Sequence, residues 1–195
     1  MNLTNEDHAL NGKKVAILVA NGFEEDELMS PRKALEEAGA QTKVVSPESG
    51  KVKAWKNTDW GKEVKVDVPL DTANPGDYDA LLLPGGVMNP DHLRRNKKAL
   101  DFVRAFFQAH KPVGAICHGP WTLIDAGVVR GRKMTSYESI QTDLKNAGAN
   151  WEDKEVIVDN GLVTSRKPDD LPAFNRKLIE EVAAGLHERQ TVGNN

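Results

Sequence analysis

The sequence predicts an α/β domain, a mostly parallel sheet covered by helices on both faces. Three observations carry that prediction. Residues 15–20 (VAILVA), 80–83 (ALLL) and 113–116 (VGAI) are short apolar runs, as strands buried on both faces are. Helical spacing lies between them: after Ala99, the residues Phe102, Val103, Phe106 and Phe107 recur at i+3, i+4, i+7 and i+8. Strand-like runs also end in turn residues, as in Pro84-Gly85-Gly86.

In chain order, residues 1–12 read as a mobile tail, 13–186 as a single domain and 187–195 as a polar tail. The strand at 15–20 leads through Asn21-Gly22-Phe23-Glu24 into a helix that Ser30-Pro31 starts or re-aims. Leu35 and Ala38 give that helix an apolar face and Gly39 ends it. Residues 42–46 form the next strand. Val52, Ala54, Val64, Val66 and Val68 alternate, which predicts a small antiparallel excursion over 51–70. Trp55 and Trp60 within it read as packing or interface area. A helix is expected from Asn89-Pro90-Asp91 and a short strand at 133–136. Ile140, Leu144 and Ala147 line a further helix. Asp159-Asn160-Gly161 between 155–158 and 162–165 is a hairpin signal. Leu171, Phe174, Leu178 and Val182 mark a long last helix.

Composition narrows the function classes. The chain has 195 residues, 39% hydrophobic and 28% charged, ordinary for a soluble globular domain. A net charge of -3 indicates neither a nucleic acid nor an anionic membrane as partner. One cysteine rules out an internal disulfide and fits a reducing cytoplasm. No apolar run resembles a signal peptide or approaches a membrane span. There is no phosphate-binding or dinucleotide glycine motif and no spaced His/Cys cluster, so no cofactor and no metal are expected.

The sequence is organised around Lys111 to Trp121. The strand at 113–116 turns at once into a helix, with Cys117 on the corner. Gly119 removes a side chain where the turn is tightest, and Pro120 suits a first helical turn. This is the pattern of a nucleophile elbow carrying a thiol. A buried, inert cysteine is the alternative for an isolated Cys, and the elbow context argues against it. A helix N-terminus beside His118 predicts a low-pKa thiol. The loop with Glu24, the Gly85-Gly86 turn and Cys117 all follow strands, so they converge at one sheet edge. There, the amides of Gly86 and His118 are candidates for an oxyanion site.

Ala115-Ile116-Cys117-His118-Gly119-Pro120 resembles the nucleophile motif of the PfpI family, the so-called intracellular proteases. That family lies in the superfamily of the Parkinsonism-linked protein deglycase. The resemblance covers roughly residues 13–186. It implies a flavodoxin-like three-layer sandwich of the class I glutamine amidotransferase type. It also implies a cysteine-dependent stress-protection enzyme acting on reactive dicarbonyls or their protein adducts, with glyoxalase-like or deglycase activity. Peptidase action and a non-enzymatic redox sensor or chaperone are the alternatives. Asn21-Gly22-Phe23-Glu24 resembles the segment whose glutamate approaches the nucleophile. Asp91 matches a region whose acid reaches the active-site histidine of a neighbouring subunit, which implies a homodimer or larger homo-oligomer. Gly85, Gly86, Gly119 and Tyr137 match positions around the site. No triad histidine follows downstream except His187 near the end, which argues against glutaminase chemistry.

Overall fold

The computed structural model describes residues 9–190. The chain runs β1 (Lys14–Leu18), β2 (Phe23–Glu24), α1 (Glu25–Glu37), β3 (Gln41–Ser46), β4 (Lys51–Lys56) and β5 (Asp59–Lys65). It continues through β6 (Val68–Pro69), β7 (Ala80–Leu83), α2 (Met88–Arg94), α3 (Lys97–Gln108), β8 (Val113–Ile116) and α4 (Pro120–Asp125). Then come β9 (Lys133–Met134), α5 (Gln141–Asn146), β10 (Asn150–Trp151), β11 (Val156–Asp159), β12 (Leu162–Ser165) and α6 (Leu171–Ala184).

Seven strands form the main sheet in the order β11-β12-β8-β7-β1-β3-β6, parallel except for the β11/β12 hairpin. The turn of that hairpin holds Asn160 at φ 47 and Gly161 at φ 85, as a two-residue turn with both φ positive requires. β4 and β5 pair antiparallel as a separate hairpin that takes β2 as a third strand. The mostly parallel sheet follows the sequence pattern, and so does the antiparallel excursion over 51–65; Val68, expected within it, lies instead in β6, parallel to β3 in the main sheet.

Two apolar cores sandwich the sheet. One gathers Leu93, Phe102, Phe106, Leu123 and Leu144 from α2–α5. The other gathers Leu28, Leu35, Phe174 and Leu178 from α1 and α6, with Val52 and Val64 of the hairpin. Strand residues alternate between them: Ala16 and Leu18 face the first core, Val15 and Ile17 the second.

Three boundaries differ from the sequence reading. Pro31 does not start α1 but lies within it. Its missing N–H leaves the carbonyl of Glu27 without its usual helical donor. Residues 9–12 do not trail as a tail: Leu10 is fully buried and its amide donates to the Ala38 carbonyl at 2.8 Å. Residues 187–190 are likewise tied down, because the His187 amide donates to the His110 carbonyl and Gln190 is buried. The rest of both expected tails, residues 1–8 and 191–195, lies outside the described residues.

Candidate active site

The position of the site follows from strand order. From β1 the chain crosses to β3 on one side and then returns to β7 on the other. Crevices open beyond the strand C-termini at such a reversal. The loops after β1 and β7 meet there, beside the end of β8, which carries Cys117.

Cys117 adopts φ 62, a conformation that a side chain with a Cβ adopts only under constraint. Its amide donates to the Ser165 carbonyl at 3.0 Å and its carbonyl accepts from the Tyr137 amide at 2.9 Å. Gly119 closes the turn through a 2.8 Å bond to the Ile116 carbonyl. A Cβ there would stand 2.6 Å from the Leu83 carbonyl oxygen, so only glycine fits. The elbow expected from the sequence is therefore present.

The carboxyl beside the thiol belongs to Glu27. Glu27 is fully buried, its Oε2 accepts the Gly85 amide at 2.9 Å, and the carboxyl interacts with the Cys117 thiol. Its Oε1 is buried without a hydrogen-bond partner among the described residues. Burial first, and the nearby charge of Glu24 second, push its pKa up to about 8. A neutral carboxyl with one oxygen satisfied and the other open, beside a sulfur, is arranged as a proton donor.

Glu24, expected at this place, is set differently. Extended at φ −68 and ψ 126, it is the N-cap of α1, and its Oε2 accepts the Glu27 amide at 2.9 Å. Its side chain turns back on its own helix, and its pKa is raised, chiefly by burial. Its charge acts on Glu27, whose pKa it helps to raise.

The expectation of a low-pKa thiol is also corrected. Cys117 is 7% exposed, and burial, then the Glu27 carboxylate, push its thiol well up. The amides of His118 and Gly86 pull in the opposite direction. α4 has only six residues, and its dipole does not overcome desolvation.

Gly85 and Gly86 both reach the site. A Cβ on Gly85 would lie 2.4 Å from Glu27 Oε2 and 2.7 Å from the Cys117 Cβ. Gly86, at φ 75, would place a Cβ 2.4 Å from the Gly22 carbonyl oxygen. Buried Asn89 locks this loop: its Oδ1 accepts from the Ala20 amide, and its Nδ2 donates to the Pro84 and Gly85 carbonyls.

His118 Nδ1 lies 3.2 Å from the Cys117 Sγ, and its Nε2 lies 3.0 Å from the Ser139 Oγ. The ring stacks on Tyr137 at 4.9 Å between centroids and meets Trp121 edge-on at 5.3 Å. Burial lowers its pKa, so the neutral imidazole is favoured. Asp91 stands exposed in the first turn of α2 and has no hydrogen bond to the His118 of its own chain.

Two residues at the site escape the motif reading, Glu27 and Ser139. Glu27 was legible in principle: with Leu28, Pro31 and Leu35 it shares the inward face of α1, so an acid there has to be buried. Ser139, within the short 3-10 turn Glu138–Ile140, carried no sequence signal.

The DJ-1/PfpI family profile matches residues 13–181. YraA of Bacillus subtilis, which bears a candidate cysteine protease name, is 48% identical over 167 residues, 86% of this chain and 96% of YraA. General stress protein 18 of the same organism is 49% identical over 170 residues, covering 86% and 96%. Protein/nucleic acid deglycase 2 of Escherichia coli is 45% identical over 173 residues, covering 88% and 99%. Among solved structures, a two-domain protein of Anabaena variabilis with DJ-1/ThiJ/PfpI-like and ferritin-like domains superposes with a TM-score of 0.82. It is 34% identical, over 87% of this chain and 48% of that one. Profile, relatives and fold agree on one assignment: the chain belongs to the DJ-1/PfpI family.

Proposed function

We propose that the protein is a cysteine-dependent enzyme that converts reactive dicarbonyls, free or as adducts on proteins, to hydroxy acids. The observation that carries this reading is the pairing of a strained thiol with a buried carboxyl whose pKa is raised. Carbonyl addition needs a nucleophile and a proton for the oxygen, and no amine leaving group. The deglycase name of the Escherichia coli relative supports the substrate class.

For methylglyoxal the steps balance as follows. The Cys117 sulfur bonds to the aldehyde carbon while its proton passes to His118 Nδ1, 3.2 Å away. The carbonyl oxygen takes the proton of Glu27, and the amides of Gly86 and His118 polarise it. The Glu27 carboxylate then removes the hydrogen from the thiol-bearing carbon and returns it to the adjacent carbon. The hydroxyl proton moves to the neighbouring oxygen, leaving a thioester. Water hydrolyses the thioester to lactate: its OH bonds to the acyl carbon, its proton restores Glu27, and the departing sulfur recovers its proton from His118. Tyr137 and Gly119 shape the opening and the turn around this chemistry.

A peptidase reading draws on the Cys117–His118 contact and on the name of YraA. It must also protonate a leaving amine, a step that addition to a free carbonyl does not require. We further propose a cytoplasmic homo-oligomer in which Asp91, exposed on α2, serves the site of a neighbouring subunit. Lactate formation from methylglyoxal, measured for wild type and Cys117→Ala, tests the main reading. Turnover that is lost in the variant supports it, and casein cleavage without lactate formation overturns it in favour of the peptidase.

A further inference from the structure

Cys117 and His118 are both buried, each 7% exposed, whereas Ser139 is a surface residue on the turn just beyond them. Every change in thiol protonation must exchange a proton with water, yet the sulfur has little direct contact with it. The polar atoms form one line outward: Cys117 Sγ to His118 Nδ1 at 3.2 Å, then His118 Nε2 to Ser139 Oγ at 3.0 Å. Stacking on Tyr137 and the edge contact with Trp121 hold the imidazole plane in that line.

We propose that Ser139 is a positioning residue that sets the His118 tautomer and forms the outer end of a proton outlet from Cys117. A hydroxyl suits this task because it both donates and accepts. With the thiol protonated, Sγ–H donates to Nδ1, and Nε2–H donates to the Ser139 oxygen. When the thiol ionises, its proton moves to Nδ1 and the Nε2 proton moves to the Ser139 oxygen. The original hydroxyl proton of Ser139 leaves to water. The result is Nδ1–H facing the thiolate and Ser139 O–H facing Nε2. One proton has reached solvent, and the imidazole ends neutral. The other titratable group facing the sulfur, Glu27, is enclosed beneath it and offers no exit of its own.

The inference concerns proton traffic at the thiol and stands even if the substrate is not a dicarbonyl. Its catalytic consequence rests on the function proposed above. The test therefore has two arms on Ser139→Ala and Ser139→Thr, both surface substitutions. In the first, ¹⁵N spectra of the imidazole are followed as pH rises. Wild type should pass from Nε2–H to Nδ1–H as the thiol ionises, and Ser139→Thr should do the same. Ser139→Ala should lose this definite exchange of tautomers. In the second, methylglyoxal turnover by Ser139→Ala should fall roughly tenfold in kcat, the scale of one lost hydrogen bond, with KM unchanged. Ser139→Thr should restore it, and so should a small diffusible proton carrier such as free imidazole. Identical tautomer behaviour in wild type and Ser139→Ala overturns the proposal. Absence of turnover in wild type overturns the dicarbonyl reading alone, and the spectra still decide the role of Ser139.

Discussion

Two acids on one helix turn, Glu24 and Glu27, have opposite fates because their backbones differ. Glu24 is extended and caps the helix, while Glu27 is helical and points inward. The segment resemblance alone placed the acid beside the thiol at Glu24. Helical spacing carried the correction, since Glu27 lies on the same face as Pro31 and Leu35. Burial of Glu27 has a thermodynamic consequence. Its folded pKa of about 8 exceeds the unfolded value of 4.5, so the folded state holds the proton more tightly. Stability from this group is fully present below about pH 4.5 and is lost as pH rises towards 8. Thermal unfolding from pH 5 to 8 should therefore show wild type losing stability relative to Glu27→Gln, with the gap widening continuously. A pH-independent gap would mean that Glu27 ionises normally. Gly85→Ala tests the crowding beside it. A methyl 2.4 Å from the carboxyl oxygen should cost about 1–3 kcal/mol in urea unfolding and abolish most turnover.

At the scale of elements, the elbow was legible because each part has a local cause. An apolar strand, Gly119 and Pro120 define the turn wherever they occur together. The β11/β12 hairpin was legible through Asn160-Gly161 for the same reason. Long-range locks were not, and Asn89 is the example. In sequence it reads as a helix-start residue, yet its side chain ties the loop after β1 to the loop after β7. Asn89→Ala leaves buried backbone groups unpaired and should cost roughly 1–3 kcal/mol. Because those groups place Gly85 and Gly86, turnover should fall more than the loss of folded protein explains. Chemical denaturation beside specific activity of the folded fraction separates the two effects.

At the scale of the molecule, the sheet order puts the ends of β1, β7 and β8 side by side; strand–helix alternation made the parallel sheet readable, but not the order of its strands. Which side chain each loop sends into the shared crevice depends on packing between segments far apart in sequence. That is why Cys117 and His118 were found and Glu27 and Ser139 were not. The site also lies where the two cores meet: Cys117 and Leu28 pack in one, Leu83 and Leu123 in the other. The elbow is thus held by the whole fold.

The central claim is that Glu27, and not Glu24, is the carboxyl that governs the thiol. The most direct measurement is the pH profile of Cys117 alkylation by iodoacetamide in wild type, Glu24→Gln and Glu27→Gln. Removing the like charge of Glu27 while keeping a hydrogen-bond donor should lower the reactivity midpoint by about one pH unit or more, whereas Glu24→Gln should shift it far less. A midpoint unchanged in Glu27→Gln and displaced in Glu24→Gln would contradict the account.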